Sequence, residues 1–174
     1  MQKRANATTF KGKPLTLIGP QLKPGDRAPD FECVTSGLEL LNLSKTPAKA
    51  RLFSVVPSLD TPVCSEQTRK FDQALAALKD KVASYTISLD MPFSQKRFCS
   101  SENISNMQTL SDTHNHSFGE NYGVLIEGLP MPLLSRAVFV ADKSGKITYA
   151  EYVSEVASHP NYEKAVEALK AVAG

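Results

Sequence analysis

No stretch of lysine and arginine in this sequence runs beyond two residues, and the formal net charge is only +2. A nucleic-acid-binding chain needs a concentrated basic face, so a polyanion partner is not expected. No apolar run approaches the roughly 20 residues that a membrane-spanning helix requires. The first residues, Met1-Gln2-Lys3-Arg4-Ala5-Asn6-Ala7-Thr8-Thr9, start basic but continue polar. The apolar core of a secretory signal is missing from them. A cytoplasmic protein with no membrane partner is the expectation. Cysteine is scarce as well, with three in 174 residues and no Cys-x-x-Cys pair. A reducing compartment and so few thiols argue against a disulfide-stapled scaffold. They also argue against a dithiol–disulfide oxidoreductase, which needs the paired motif. No internal repeat or low-complexity tract is present.

What remains has ordinary proportions, 41% hydrophobic and 22% charged residues, and its length suits one domain with a full core over residues 1–174. Residues 1–30 read as an N-terminal hairpin extension. Strands at Thr8–Lys11 and Leu15–Ile18 flank Gly12-Lys13-Pro14, and Pro24-Gly25-Asp26 and Pro29-Asp30 punctuate an extended connection. Short strands follow at Phe31–Thr35 and Leu38–Leu41. Arg51–Val56 is a near-continuous apolar run, the pattern of a strand covered on both faces. Pro62–Asp80 carries Cys64, Gln67, Phe71, Leu75 and Leu78 at three- and four-residue steps, a helical stripe. The spacing then predicts a strand at Val82–Leu89, a short helix or turn at Pro92–Cys99, a strand at Gln108–Leu110 and a short helix at Ser117–Tyr122. A hairpin at Ala137–Ala141 and Lys146–Tyr152 turns on Asp142-Lys143-Ser144-Gly145, and Asn161–Val172 closes the chain as a helix. A βαβ unit followed by ββα is the order of a thioredoxin-like α/β fold, with a central mixed sheet flanked by helices.

The segment richest in chemistry is Pro57-Ser58-Leu59-Asp60-Thr61-Pro62-Val63-Cys64. Asp60 and Thr61 are good helix N-caps, and Pro62 suits the first helical position, where its missing N–H costs nothing. Cys64 is thereby placed in a first helical turn, facing unsatisfied N–H groups and the positive end of the helix dipole. A helix start of this kind favours the thiolate, which is the nucleophilic form. The competing reading is a small buried hydrophobe on an apolar helix stripe. Thr61, three positions upstream, adds a hydroxyl able both to donate and to accept a hydrogen bond beside the sulfur.

Pro57, Thr61 and Cys64 fill Pro-x-x-x-Thr-x-x-Cys, and the sequence here resembles the active-site signature of the peroxiredoxins. Leu59–Cys64 is similar to the version found in bacterial thiol peroxidases, the atypical two-cysteine branch. Asp90-Met91-Pro92-Phe93-Ser94-Gln95-Lys96-Arg97-Phe98-Cys99 resembles that branch's resolving-cysteine segment. Leu133-Leu134-Ser135-Arg136-Ala137-Val138-Phe139-Val140 resembles the strand that carries its active-site arginine. Leu110-Ser111-Asp112, Phe118-Gly119 and Tyr122-Gly123-Val124 also fit, so the likeness runs from about Gly12 to Leu169. Ser135 stands where the branch commonly has alanine, and Met131-Pro132 replaces a more glycine-rich approach to the arginine strand.

The resemblance implies a thioredoxin-dependent peroxidase acting on hydrogen peroxide and organic hydroperoxides in antioxidant defence. Cys64 would be oxidised to a sulfenic acid. Thr61 would position the peroxide, Pro57 would shield the sulfur from water and Arg136 would polarise the O–O bond. Cys99 would resolve the intermediate as a Cys64–Cys99 disulfide, with local unwinding around both cysteines. In the chain-entropy picture that loop constrains the unfolded chain by roughly 3–4 kcal/mol. Thioredoxin would reduce the disulfide, and a homodimer is implied. Neither cofactor nor metal is called for. His114-x-His116 stands in a polar loop without the short-spaced cysteine pair of a structural zinc site. Cys33 fits no motif and reads as a structural thiol. Neutral walls around Phe53, Phe93 and Leu133 are expected to suit organic hydroperoxides. The alternative of the same fold is a non-catalytic, peroxide-sensing thiol relay.

Overall fold

A computed structural model describes residues Met1–Gly174. Its framework is a seven-stranded mixed sheet. The central strands are β5 (Ala50–Val55), β6 (Val82–Ser88) and β7 (Gln108–Ser111), which run parallel. On one side β9 (Ala137–Ala141) pairs antiparallel with β5, and β10 (Ile147–Tyr152) pairs with β9. On the other, β3 (Glu32–Thr35) pairs antiparallel with β7 and with β4 (Leu40–Asn42). Parallel neighbours require crossovers, and α1 (Pro62–Ala74) and α2 (Pro92–Ser101) supply them. The helices α3 (Ser117–Asn121) and α4 (Tyr162–Val172) complete the set.

Every residue of β5 and of β6 is buried, because helices or loops cover both faces. In β6, Ser84, Thr86 and Ser88 are buried on the face opposite Tyr85 and Ile87. The alternation of polar and apolar residues along β6 therefore separates two covered faces, and neither is solvated. One side of the sheet is packed by an aromatic cluster containing Phe31, Phe53, Phe118, Tyr122 and Phe139. The other is packed by Leu52, Val138 and Val140 against Phe71 and Leu75 of the α1 segment and Leu169 of α4.

Helix α1 ends at Ala74, six residues before the expected Asp80. Its stripe continues into Leu75, but Ala76 N–H then bonds to Gln73 O and Leu78 N–H to Leu75 O. These three-residue bonds tighten the chain into successive turns that end the helix before β6.

The N-terminal hairpin is longer than the sequence pattern suggests: β1 covers Lys3–Phe10 and β2 covers Lys13–Ile18, so the turn is Lys11-Gly12 and Pro14 lies inside a strand. The hairpin is also not a simple appendage. A strand missing from the sequence reading, β8 (Leu125–Glu127), pairs with β2 and makes a second, three-stranded sheet. Thr9 N–H bonds to Ser154 O, and Val156 N–H bonds to Thr9 O. Arg4 donates to the carbonyls of Gly19 and Gly123 and lies over the ring of Tyr152. Gly123 is required at this seam: a Cβ there would fall 1.8 Å from the Pro20 carbonyl oxygen.

Candidate active site

The register of β5 with β9 builds the site. Val55 is paired with Ala137, so Arg136, the residue before β9, lies beside the carboxyl end of β5. There the chain leaves through Val56 and Pro57 towards α1. Crevices outside the carboxyl ends of parallel strands are the usual ligand positions of α/β sheets.

Thr61 is the N-cap residue of α1 and Pro62 opens the helix, as expected, but Thr61 makes no side-chain cap bond. Its hydroxyl donates instead to the Ser58 carbonyl at 2.9 Å. This closes the 58–61 turn and leaves the threonine exposed at the helix mouth. Cys64 lies in the first turn with none of its surface exposed, packed with Val56, Leu59 and the partly buried Phe98. Arg136 Nη2 donates to Cys64 Sγ at 3.2 Å. The same guanidinium donates through Nε to the Val156 carbonyl (2.8 Å) and through Nη1 to Gln67 Oε1 (2.9 Å). Gln67 Nε2 in turn donates to Ser54 Oγ of β5 at 2.8 Å. All of these side chains are buried, so the fork is fixed from two directions and its Nη2 faces the sulfur.

Over this cluster opens a cleft of about 600 Å³. Pro57, Thr61 and Arg136 all line it, and its walls are largely apolar, including Phe10, Leu15, Ile126, Met131 and Leu133. Cys64 itself is not in the lining, and its sulfur lies one contact behind Arg136. Of the three wall residues expected from the sequence, only Leu133 is in place. Phe53 sits wholly inside the aromatic core, and Phe93 is 64% exposed on α2. The reason is topological: the hairpin and the 124–135 segment cover this end of the sheet, and the sequence reading had given the hairpin no part in it.

The structure thus gathers Pro57, Thr61, Cys64 and Arg136, and Cys99 lies apart. It is half-buried on α2 and lines a separate hollow of about 300 Å³ with Thr35, Lys96, Met107 and Thr109. Burial pushes its thiol pKa up, with a smaller push from Asp72, while a hydrogen bond with Thr109 acts the other way. All three cysteines are free. Cys33 is buried against Asp112, with Sγ 3.6 Å from Oδ1. Burial first and that carboxylate second push its thiol far above the ordinary range, which fits a structural role. His116 caps α3 in a left-handed conformation, and no three His, Cys, Asp or Glu side chains cluster closely enough to hold a metal. No helix is long and apolar enough to cross a membrane.

Sequence reasoning missed Gln67 as a partner of Arg136, the Val156 carbonyl and the hairpin residues Phe10 and Leu15. For Gln67 a signal existed. A polar residue one turn from Cys64 on an otherwise apolar stripe needs a buried partner. The others depend on which segments meet across the fold.

The Redoxin family model matches residues 23–166. A thiol peroxidase of Bacillus subtilis is 52% identical over 164 residues, covering 94% of this chain and 96% of the relative. One of Listeria monocytogenes is 50% identical over 162 residues, covering 93% and 96%. Among solved structures, a peroxiredoxin-like protein from Aquifex aeolicus superposes with a TM-score of 0.89 at 42% identity, covering 97% of each chain. The thiol peroxidase from Chromobacterium violaceum has a TM-score of 0.84 at 22% identity over 94% of this chain and 95% of its own, a likeness of fold. With the fold, the cysteine–arginine pair and these relatives in agreement, the chain belongs to the Redoxin family, in its thiol peroxidase group.

Proposed function

We propose that the protein reduces hydroperoxides by a two-cysteine cycle that begins at Cys64 and is resolved by Cys99. The observation that carries this reading is the Arg136 Nη2–Cys64 Sγ contact of 3.2 Å at the base of a cleft lined by Thr61 and Pro57. A hydroperoxide enters the cleft, its oxygens held between the Thr61 hydroxyl and the Arg136 fork. The Cys64 thiolate attacks the terminal oxygen and the O–O bond breaks. Sulfur keeps the hydroxyl as a sulfenic acid, and the other oxygen leaves as an alkoxide or hydroxide that takes up a proton. Negative charge grows on that leaving oxygen, so a donor fixed beforehand lowers the barrier without reorganising. Arg136 meets this condition because the Val156 carbonyl and Gln67 already hold its other nitrogens.

In the second step the Cys99 sulfur attacks the sulfenic sulfur, a disulfide forms and water leaves. Disulfide geometry needs Cα atoms within about 7 Å. Because Cys64 is sealed in its turn and Cys99 faces another hollow, the first turn of α1 and the α2 segment unwind locally to meet. A dithiol protein of the thioredoxin type then reduces the bond, taking up the two oxidising equivalents as its own disulfide. The apolar walls support organic hydroperoxides as substrates beside hydrogen peroxide. A homodimer and a cytoplasmic setting belong to the same reading through the family likeness.

The test is consumption of hydrogen peroxide and of cumene hydroperoxide in the presence of a thioredoxin system. Multiple turnover in the parent and none in Cys64→Ser are expected, with an intramolecular Cys64–Cys99 disulfide in the oxidised protein. One oxidation event without turnover would instead identify a sensor.

A further inference from the structure

The carboxylate of Asp90 joins the two halves of the site. Asp90 follows β6 and precedes α2, the helix that carries Cys99. Its Oδ1 accepts from Ser58 Oγ at 2.7 Å. Its Oδ2 accepts from the Leu59 backbone N–H at 2.8 Å and from Ser88 Oγ at 2.7 Å. Ser58 and Leu59 belong to the loop that delivers Thr61. The Ser58 carbonyl accepts both the Thr61 hydroxyl and the Thr61 N–H. The Thr61 carbonyl then accepts Ser65 N–H, within the first turn of α1. In the opposite direction Ser88 Oγ also accepts from Gln95 Nε2 of α2, at 3.0 Å, and Gln95 is fully buried. The Asp90 carbonyl accepts from Ser111 Oγ of β7 at 2.6 Å. One side chain thus carries hydrogen bonds that reach both the Thr61–Cys64 turn and the Cys99 helix.

We infer that Asp90 is a positioning residue that holds the Thr61–Cys64 turn in its peroxide-reactive form and must release it before the disulfide can close. The inference rests on the two-cysteine cycle proposed above. The two chemical steps make opposite demands: attack on peroxide needs the turn intact, and closure of the disulfide needs it undone. A bond network that stabilises the intact form therefore accelerates the first step and retards the second. A residue of merely structural value would move both in one direction or neither.

Asp90→Ala removes the only side-chain acceptor of Leu59 N–H and one end of the Ser58 contact. Asp90→Asn restores an oxygen for Leu59 and partly rescues the effect. Reduced protein is mixed rapidly with peroxide and quenched at intervals. Thiol, dimedone-trapped sulfenic acid and Cys64–Cys99 disulfide are then counted by mass spectrometry. In Asp90→Ala the peroxide step is expected to fall by about tenfold to a hundredfold, the scale set by misplacing a reacting group by an ångström or less. Its disulfide step is expected to stay unchanged or to quicken. A peroxide step within about twofold of the parent's, or two steps slowed in proportion, overturns the inference. Should Asp90→Ala not fold, Ser58→Ala cuts one arm of the network and is read by the same two rates and the same criteria. A parent protein that forms no Cys64–Cys99 disulfide defeats the cycle itself, which separates that failure from the failure of Asp90.

Discussion

Arg136 reaches Cys64 with its last free arm. Nε is engaged by the Val156 carbonyl and Nη1 by Gln67, leaving Nη2 3.2 Å from the sulfur. Three acceptors in three directions fit a planar fork of five N–H donors and fit no other side chain. The arrangement bears on several measurable properties.

Arg136→Lys keeps a positive charge but cannot hold Val156, Gln67 and the sulfur together. The second-order rate constant of Cys64 with peroxide should fall by about 10²–10³-fold, the usual cost of one lost oxyanion-type donor. Competition against a reporter peroxidase measures it, and a loss under tenfold would show that charge alone suffices.

Gln67→Leu leaves Arg136 Nη1 and Ser54 Oγ without their buried partner. Unpaired buried polar groups cost about 1–3 kcal/mol, so urea unfolding should show a loss of that size. The peroxide rate should fall too, because the fork loses one of its anchors. Gln67→Glu restores the acceptor oxygen facing Arg136, and the peroxide rate should recover in part.

Met131 is exposed on the cleft wall and makes no hydrogen bond to Thr61, Cys64 or Arg136. Met131→Asp places a charge where an alkyl or aryl tail would lie. KM for cumene hydroperoxide should rise severalfold, with hydrogen peroxide kinetics nearly unchanged. Equal effects on both substrates would exclude this wall from substrate binding.

Burial raises the thiol pKa of both Cys33 and Cys99. A raised value means that the folded protein keeps its thiol proton to higher pH than the unfolded chain does. The associated stability is fully present below the ordinary thiol range of about 8.5 and is lost as pH climbs above it. Chemical unfolding from pH 7 to pH 10 should show stability falling in the upper part of that range, and less steeply in Cys33→Ala. For Cys99 the kinetic counterpart is a disulfide-closing rate that still rises with pH beyond the ordinary thiol range, readable in the same rapid-quench samples.

Local pattern determined much of this protein. The Pro57–Cys64 segment has cap, helix-starting proline and cysteine within eight residues, so its turn-then-helix form follows from short-range chemistry alone. The apolar run at Arg51–Val56 and the Asp142–Gly145 turn likewise announce their strands through neighbours a few positions away. Tertiary structure decided the rest, because the deciding partners are far apart in the chain. Arg136 meets Cys64 across 72 positions only because Val55 pairs with Ala137. Leu125–Glu127 is a three-residue strand, too short for a period-two signal, and it exists because β2 offers it an edge. Phe53 and Phe93 look equally suited to a pocket wall by residue type. Sheet packing buried one in the aromatic core and left the other in solvent, since composition fixes what a side chain prefers and only the assembled layers fix what it meets.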